Sequence, residues 1–137
     1  MVFKIVKLFP FKGIFSAKNS SKHCFSSPKY KDENQFWFWK DSHLVSYHSQ
    51  KALEASVINE GKIYLNYYDR NQNRQKWNKI GSLNTLDFEF ATRHKDYRLD
   101  IIDRVTEEGS IVGSTKKVKN SLTQKWKIEE VADYEDW

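Results

Sequence analysis

Gln35-Phe36-Trp37, Gln75-Lys76-Trp77 and Gln124-Lys125-Trp126 are three copies of one pattern, Gln-x-Trp, in a chain of 137 residues. The first two stand 40 residues apart and the last two 49 apart. The likeness extends upstream of each tryptophan. Lys22-His23-Cys24-Phe25 answers Lys62-Ile63-Tyr64-Leu65 with no gap through to the Trp. Gly109-Ser110-Ile111-Val112 answers Gly61-Lys62-Ile63-Tyr64 once one extra residue is placed before Gln124. Lys12-Gly13-Ile14, Lys51-Ala52-Leu53 and Tyr97-Arg98-Leu99 take equivalent places further up. Each copy opens on a strand-like run: Phe3-Lys4-Ile5-Val6, His43-Leu44-Val45-Ser46-Tyr47 and Leu86-Asp87-Phe88-Glu89-Phe90.

Each repeat therefore reads as about four short strands. Apolar and polar residues alternate in Ile63 to Tyr67 and in Leu86 to Phe90, the period of a half-buried strand. Polar stretches such as Asp69 to Asn73 and Lys18 to Ser21 mark the loops. The best helical candidate, Gln50 to Val57, is short and lies where a strand recurs in the other copies. Of the nine extra residues in the longer interval, eight fall between Trp77 and Gly109 and one before Gln124, both loop positions. A unit of this size cannot bury a hydrophobic face alone. Three of them closed about a common axis bury their tryptophans together and remove free sheet edges.

Composition bounds the rest. The length suits one domain with a real core. Aromatics reach 15% with five Trp, and Gly and Pro are few, so disorder throughout is excluded. The one cysteine, Cys24, rules out an intrachain disulfide, and the apolar run near the N-terminus is broken by Lys12 before it forms a signal-peptide core. These features set a cytoplasmic expectation. No stretch approaches the roughly 18 apolar residues of a membrane-spanning helix. The net charge of +5 is uneven: residues 1–40 hold eight lysines against two acids, whereas residues 85–137 hold twelve acids against nine basic residues.

The three Gln-x-Trp units in register, with their aligned upstream strands, resemble the ricin-B-type (R-type) lectin family. The resemblance runs from about Val2 to Val131. It implies an all-β β-trefoil of twelve strands, six in a barrel and six in a hairpin cap. The domain would span 1–132 with repeats near 2–41, 42–84 and 85–131, followed by an acidic tail, 133–137. It also implies that Trp37, Trp77 and Trp126 are packing residues whose indole N–H groups need internal acceptors.

In sugar-binding members of that family a competent repeat carries an Asp after the small apolar residue of its second strand, where the second repeat here has Glu54. A Gln and an aromatic lie on the third strand, and an Asn-Gln pair opens the signature. Amides and a carboxylate satisfy sugar hydroxyls, and an aromatic face packs on the C–H patch. Every repeat here departs from that set. The second has Glu54 for the acid, Tyr64 and Asn66 on the third strand, Tyr67 and Tyr68 nearby, and Arg74 before Gln75. The third has Asp100, but Val112 and Ser114 on the strand and Thr123-Gln124 at the signature. The first keeps Asn34-Gln35 but has Phe15 at the acid position, with Cys24 and Ser26 on the strand. The second repeat is thus the expected carbohydrate site, with Asp100 and Gln124 as a weaker one, for galactose-type or related glycans. The bland alternative makes Glu54 and Asp100 loop braces and the chain a degenerate trefoil serving as a protein-interaction or inhibitor domain.

The sequence argues for binding and not for an enzyme. His23, His43, His48 and His94 lack zinc-ligand spacing, and no phosphate-binding glycine loop or serine elbow occurs, so neither metal nor cofactor is expected. Lys116, Lys117 and Lys119, with Lys125 and Lys127 downstream, form a basic cluster. The aromatics a single-strand nucleic-acid binder would use fall mostly at core positions, which argues against that partner.

Overall fold

The computed structural model describes residues 1–7, 13–17, 24–27, 35–56, 61–81, 88–93, 95–106 and 109–131. The acidic tail, Asn34, Leu86-Asp87 and the loop Lys18 to Ser21 lie outside the described residues. In chain order the strands are β1 (Phe3–Lys7), β2 (Gly13–Ala17), β3 (Cys24–Ser27), β4 (Trp37–Lys40), β5 (His43–Ser46), β6 (Ala52–Ala55), β7 (Ile63–Asn66), β8 (Trp77–Gly81), β9 (Phe88–Thr92), β10 (Arg98–Thr106), β11 (Gly109–Thr115) and β12 (Lys127–Glu130). The segment with a helical composition, Gln50 to Val57, contains β6.

Six strands close a ring. β1 pairs with both β12 and β4, β4 with β5, and β8 with β9, all antiparallel. Single bridges complete it: His43 to Lys76 between β5 and β8, and Phe88 to Trp126 between β9 and β12. The second closure carries reciprocal backbone bonds of 2.7 and 2.8 Å. The other six strands form three hairpins, β2–β3, β6–β7 and β10–β11, which cap the ring. β3 pairs with β11, and Ser114 N–H donates to Gly61 C=O at 2.9 Å, joining the second hairpin to the third. Gly61 sits there at φ +90°, and a Cβ on it would meet the Ser114 carbonyl at 3.4 Å. A side chain would be strained in that conformation. A six-stranded barrel capped by three hairpins is a β-trefoil.

The core explains the threefold pattern. Trp37, Trp77 and Trp126 are all buried and belong to one hydrophobic cluster. Two residues after each of them the barrel register sets Trp39 against Leu44, Lys79 against Phe90 and Ile128 against Ile5. Ile5, Leu44 and Phe90 are thereby equivalent, and all three are fully buried. Each signature indole donates its N–H to a second-strand carbonyl: Trp37 to Phe15 (3.3 Å), Trp77 to Leu53 (3.0 Å) and Trp126 to Leu99 (3.0 Å). Phe15 also stacks on Trp37 and meets Trp126 edge-on, with centroids 5.0 and 6.1 Å apart.

These bonds correct the alignment by one residue in two repeats. Phe15, not Ile14, is the counterpart of Leu53 and Leu99, so the position equivalent to Glu54 and Asp100 is Ser16, not Phe15. Across the hairpins, Glu54 faces Tyr64, Asp100 faces Gly113 and Ser16 faces Phe25. Gly113 and Thr115 therefore take the places of Tyr64 and Asn66, which the sequence assigned to Val112 and Ser114. Phe25 and Ser27 take those assigned to Cys24 and Ser26. The second and third signatures then align without the extra residue before Gln124. The first repeat is instead one residue short between β3 and Gln35. A loop absorbs that difference at little energetic cost, whereas a one-residue slip inside a strand would turn its buried face outward.

Candidate binding site

Glu54 lies on β6 with Leu53 and Ala55 as neighbours, and it is only 2% exposed. A buried carboxylate needs donors, and three reach it, two from the hairpin and one from Gln75. The Tyr64 hydroxyl donates to Oε2. Asn66 Nδ2 donates to Oε1 at 3.3 Å, and Gln75 Nε2 to the same oxygen at 3.0 Å. Antiparallel pairing places these groups, since Tyr64 is directly opposite Glu54 and Asn66 is two residues further along the same face. The Tyr64 phenol is pushed up to about 12, first by burial and then by the hydrogen bond to Glu54 and its charge, with Arg74 opposing. It is therefore a neutral donor at neutral pH.

Gln75 is buried and ends a single-turn 3₁₀ helix, Asn73–Gln75. Besides Glu54 it holds the preceding loop at two points. Its Nε2 donates to Tyr67 C=O at 2.9 Å, and its Oε1 accepts from Asp69 N–H at 2.9 Å. The loop so held presents Tyr67, 77% exposed, with the Lys51 ammonium 4.7 Å from its ring centroid. Asn66 is exposed as well, and its Oδ1 accepts from Tyr67 N–H at 2.8 Å.

Of the residues singled out by sequence, the structure brings together Glu54, Tyr64, Asn66, Gln75 and the backbone of Tyr67. Tyr68 belongs to a different group. Its hydroxyl donates to Asp41 Oδ2 at 2.9 Å, its ring lies 4.6 Å from His43, and Lys40 stands 4.7 Å over it. His43 is fully buried, its Nδ1 and Nε2 within 2.7 and 2.9 Å of the Asp41 and Asp69 carbonyl oxygens. It ties the same loop to the barrel.

Asp100 and Gln124 form the third-repeat counterpart. Gln124 Nε2 donates to Asp100 Oδ2 (3.3 Å), to Thr115 Oγ1 (2.9 Å) and to Lys116 C=O (2.8 Å), and its Oε1 accepts from Val118 N–H (3.0 Å). Thr115 Oγ1 donates to Asp100 Oδ2 at 2.7 Å. Asp100 Oδ1 is buried without a hydrogen-bond partner among the described residues. Sequence reasoning missed Thr115 and Lys51. The 49-residue offset between Gln75 and Gln124 points straight from Asn66 to Thr115, whereas Lys51 carries no signal outside the fold. Among the described residues no group of three His, Cys, Asp or Glu is placed to hold a metal ion.

No family model matches the sequence, and no curated protein matches it either. Solved structures do match in shape. A designed threefold-symmetric protein, ThreeFoil, superposes with a TM-score of 0.78 at 20% identity over 95% of this chain and 99% of that one. A mosquitocidal holotoxin gives 0.79 at 18% identity, covering 96% of this chain but 17% of the toxin. The C-half of an earthworm R-type lectin, solved with GalNAc, gives 0.70 at 21% identity over 93% and 97% of the two chains. Likeness at these identities establishes the β-trefoil fold.

Proposed function

We propose that this β-trefoil is a lectin-like carbohydrate-binding module, without a reaction of its own, that takes galactose-type or related glycans at the second repeat. One observation carries the reading: the Glu54 carboxylate is held in place by Tyr64, Asn66 and Gln75 next to the exposed ring of Tyr67. A pyranose needs fixed hydrogen-bond partners for its hydroxyls and an aromatic face for its C–H patch. Asn66 and Tyr64 supply the first and Tyr67 the second. The earthworm lectin with GalNAc shows that this fold serves such a purpose in another chain. A single shallow site of this kind binds a monosaccharide at roughly millimolar Kd, so effective capture relies on multivalent display.

A glycan array of the wild type beside Tyr67→Ala and Asn66→Ala tests the reading. The Tyr67 side chain is exposed, so Tyr67→Ala should unfold within about 0.5 kcal/mol of the wild type, whereas Asn66→Ala also removes a donor from Glu54 and should cost about 1 kcal/mol. Retention of galactose-type glycans, weakened by about tenfold or more in Tyr67→Ala, is the expected result. Retention unchanged in both variants, or no retained glycan at all, rejects it.

A second reading rests on a different observation. Glu54 and Asp100 are both buried and accept bonds that brace loops, and Gly113 stands in the third repeat where Tyr64 stands in the second. On that reading the trefoil binds a protein through its loops, as an inhibitor or adaptor. A defined protein partner lost on loop substitution, with an empty glycan array, would favour it.

A further inference from the structure

Between Lys116 and Lys127 the chain carries five lysines and no acid, although residues 85–137 as a whole carry more acid than base. The structure places the first part of this stretch, Lys116 to Ser121, in the loop that follows β11, with Leu122 opening the single-turn 3₁₀ helix that ends at Gln124. Residues 116–120 are all exposed, and the exposure includes two aliphatic side chains, Val118 at 57% and Leu122 at 55%. Nothing in the sequence pattern asks for these at the surface, and the desolvation of branched aliphatics normally drives them inward.

The loop is also held in shape. Gln124 grips it at the Lys116 carbonyl and the Val118 amide. Ser121 N–H donates to Val118 C=O at 3.2 Å, turning the chain between the two aliphatic residues. Asn120, at φ 60°, takes the left-handed conformation in the same turn. A braced loop displaying lysines and aliphatic side chains has most of its ordering cost met before it binds anything. The equivalent loop of the second repeat, Tyr67 to Asn73, has identical clamping by Gln75 but two tyrosines and one residue of each charge.

We infer that the Lys116–Leu122 segment is a docking element for an anionic phospholipid surface, with Lys116, Lys117 and Lys119 meeting headgroup phosphates and carboxylates while Val118 and Leu122 enter the headgroup–acyl boundary. Cationic side chains beside aliphatic ones fit that interface. Single-stranded nucleic acid is the less suitable anion because its binders offer aromatic platforms for the bases, and this loop has none. The inference is independent of the glycan site, which lies in a different repeat.

Cosedimentation of the full chain with vesicles of phosphatidylserine and phosphatidylcholine, and with phosphatidylcholine alone, tests it without any sugar present. The wild type should pellet with the mixed vesicles, stay in solution with the neutral ones, and be released by salt. Combined Lys116→Gln, Lys117→Gln and Lys119→Gln should weaken partitioning on the order of 100-fold, at about fivefold per lysine. Val118→Asn and Leu122→Asn should each weaken it by about tenfold. All of these positions are exposed, and thermal melts would confirm that the variants fold. Equal partitioning onto both vesicle types, no pelleting, indifference to the lysine substitutions, or capture of a poly-dT oligonucleotide in place of vesicles would each overturn the inference.

Discussion

The second and third repeats hold the same glutamine in the same way and use the space beside it differently. Gln75 and Gln124 each bond to an acid on the hairpin, to a carbonyl eight residues back and to an amide six residues back. Beside the second-repeat acid stand a phenol and an amide, and three donors reach Glu54. Beside the third-repeat acid stand Gly113 and Thr115, and one oxygen of Asp100 has no partner among the described residues. The clamp is thus the shared structural element, and the two repeats differ in the two strand positions opposite and diagonal to the acid.

That comparison is easiest to break at the core. If the repeats are equivalent there, Trp77→Ala and Trp126→Ala should each cost about 3–5 kcal/mol, read by urea unfolding. Tolerance of one and not the other would show that the threefold core is unevenly loaded. Removing the clamps comes next. Gln75→Ala and Gln124→Ala each take one donor from a buried acid and the partners from two loop backbone groups, which should cost about 2 kcal/mol apiece and expose the loop amides of Asp69 or Val118 to hydrogen exchange.

The acids should then separate the repeats. Glu54→Gln turns three charge-assisted bonds into neutral ones and should cost about 1–2 kcal/mol. Asp100→Asn removes a charge whose second oxygen is unpartnered and should change stability by less than about 0.5 kcal/mol. Equal losses would deny the difference in donor supply. The last difference is a titration. Because the Tyr64 phenol is raised from 10.0 to about 12 in the folded protein, the fold favours its protonated form. Its contribution to stability is complete below pH 10 and is lost as pH climbs from 10 to about 12. Tyr64→Phe should flatten the stability profile in that window and remove one phenolate from the absorbance titration there.

Much of this was legible in the linear chain. Three Gln-x-Trp copies announced a threefold core, and Glu54, Tyr64, Asn66 and Gln75 were grouped by the site positions that the resemblance to R-type lectins implies. Tyr68 was not separable from Tyr67 by that means. Once the strand ends after Asn66, side-chain direction no longer follows a period of two, and contacts with Asp41, His43 and Lys40 decide it. The equivalences of Phe15, Gly113 and Thr115 were misjudged by one residue for a related reason. A repeat aligned on its signature leaves the connecting loops free to gain or lose a residue, and only pairing across the hairpin shows which strand residue faces which.

The spacing of tryptophans, the alternation of apolar residues and the recurrence of turn-forming stretches were enough to specify a threefold all-β domain, because removing those side chains from water together is the main driving force for folding a chain of this length. Register, the partners of each buried acid and the exposure of Val118 and Leu122 were decided in three dimensions. They depend on which backbone groups meet across hairpins and barrel seams, and hydrogen-bond geometry between segments distant in sequence leaves no trace in local pattern.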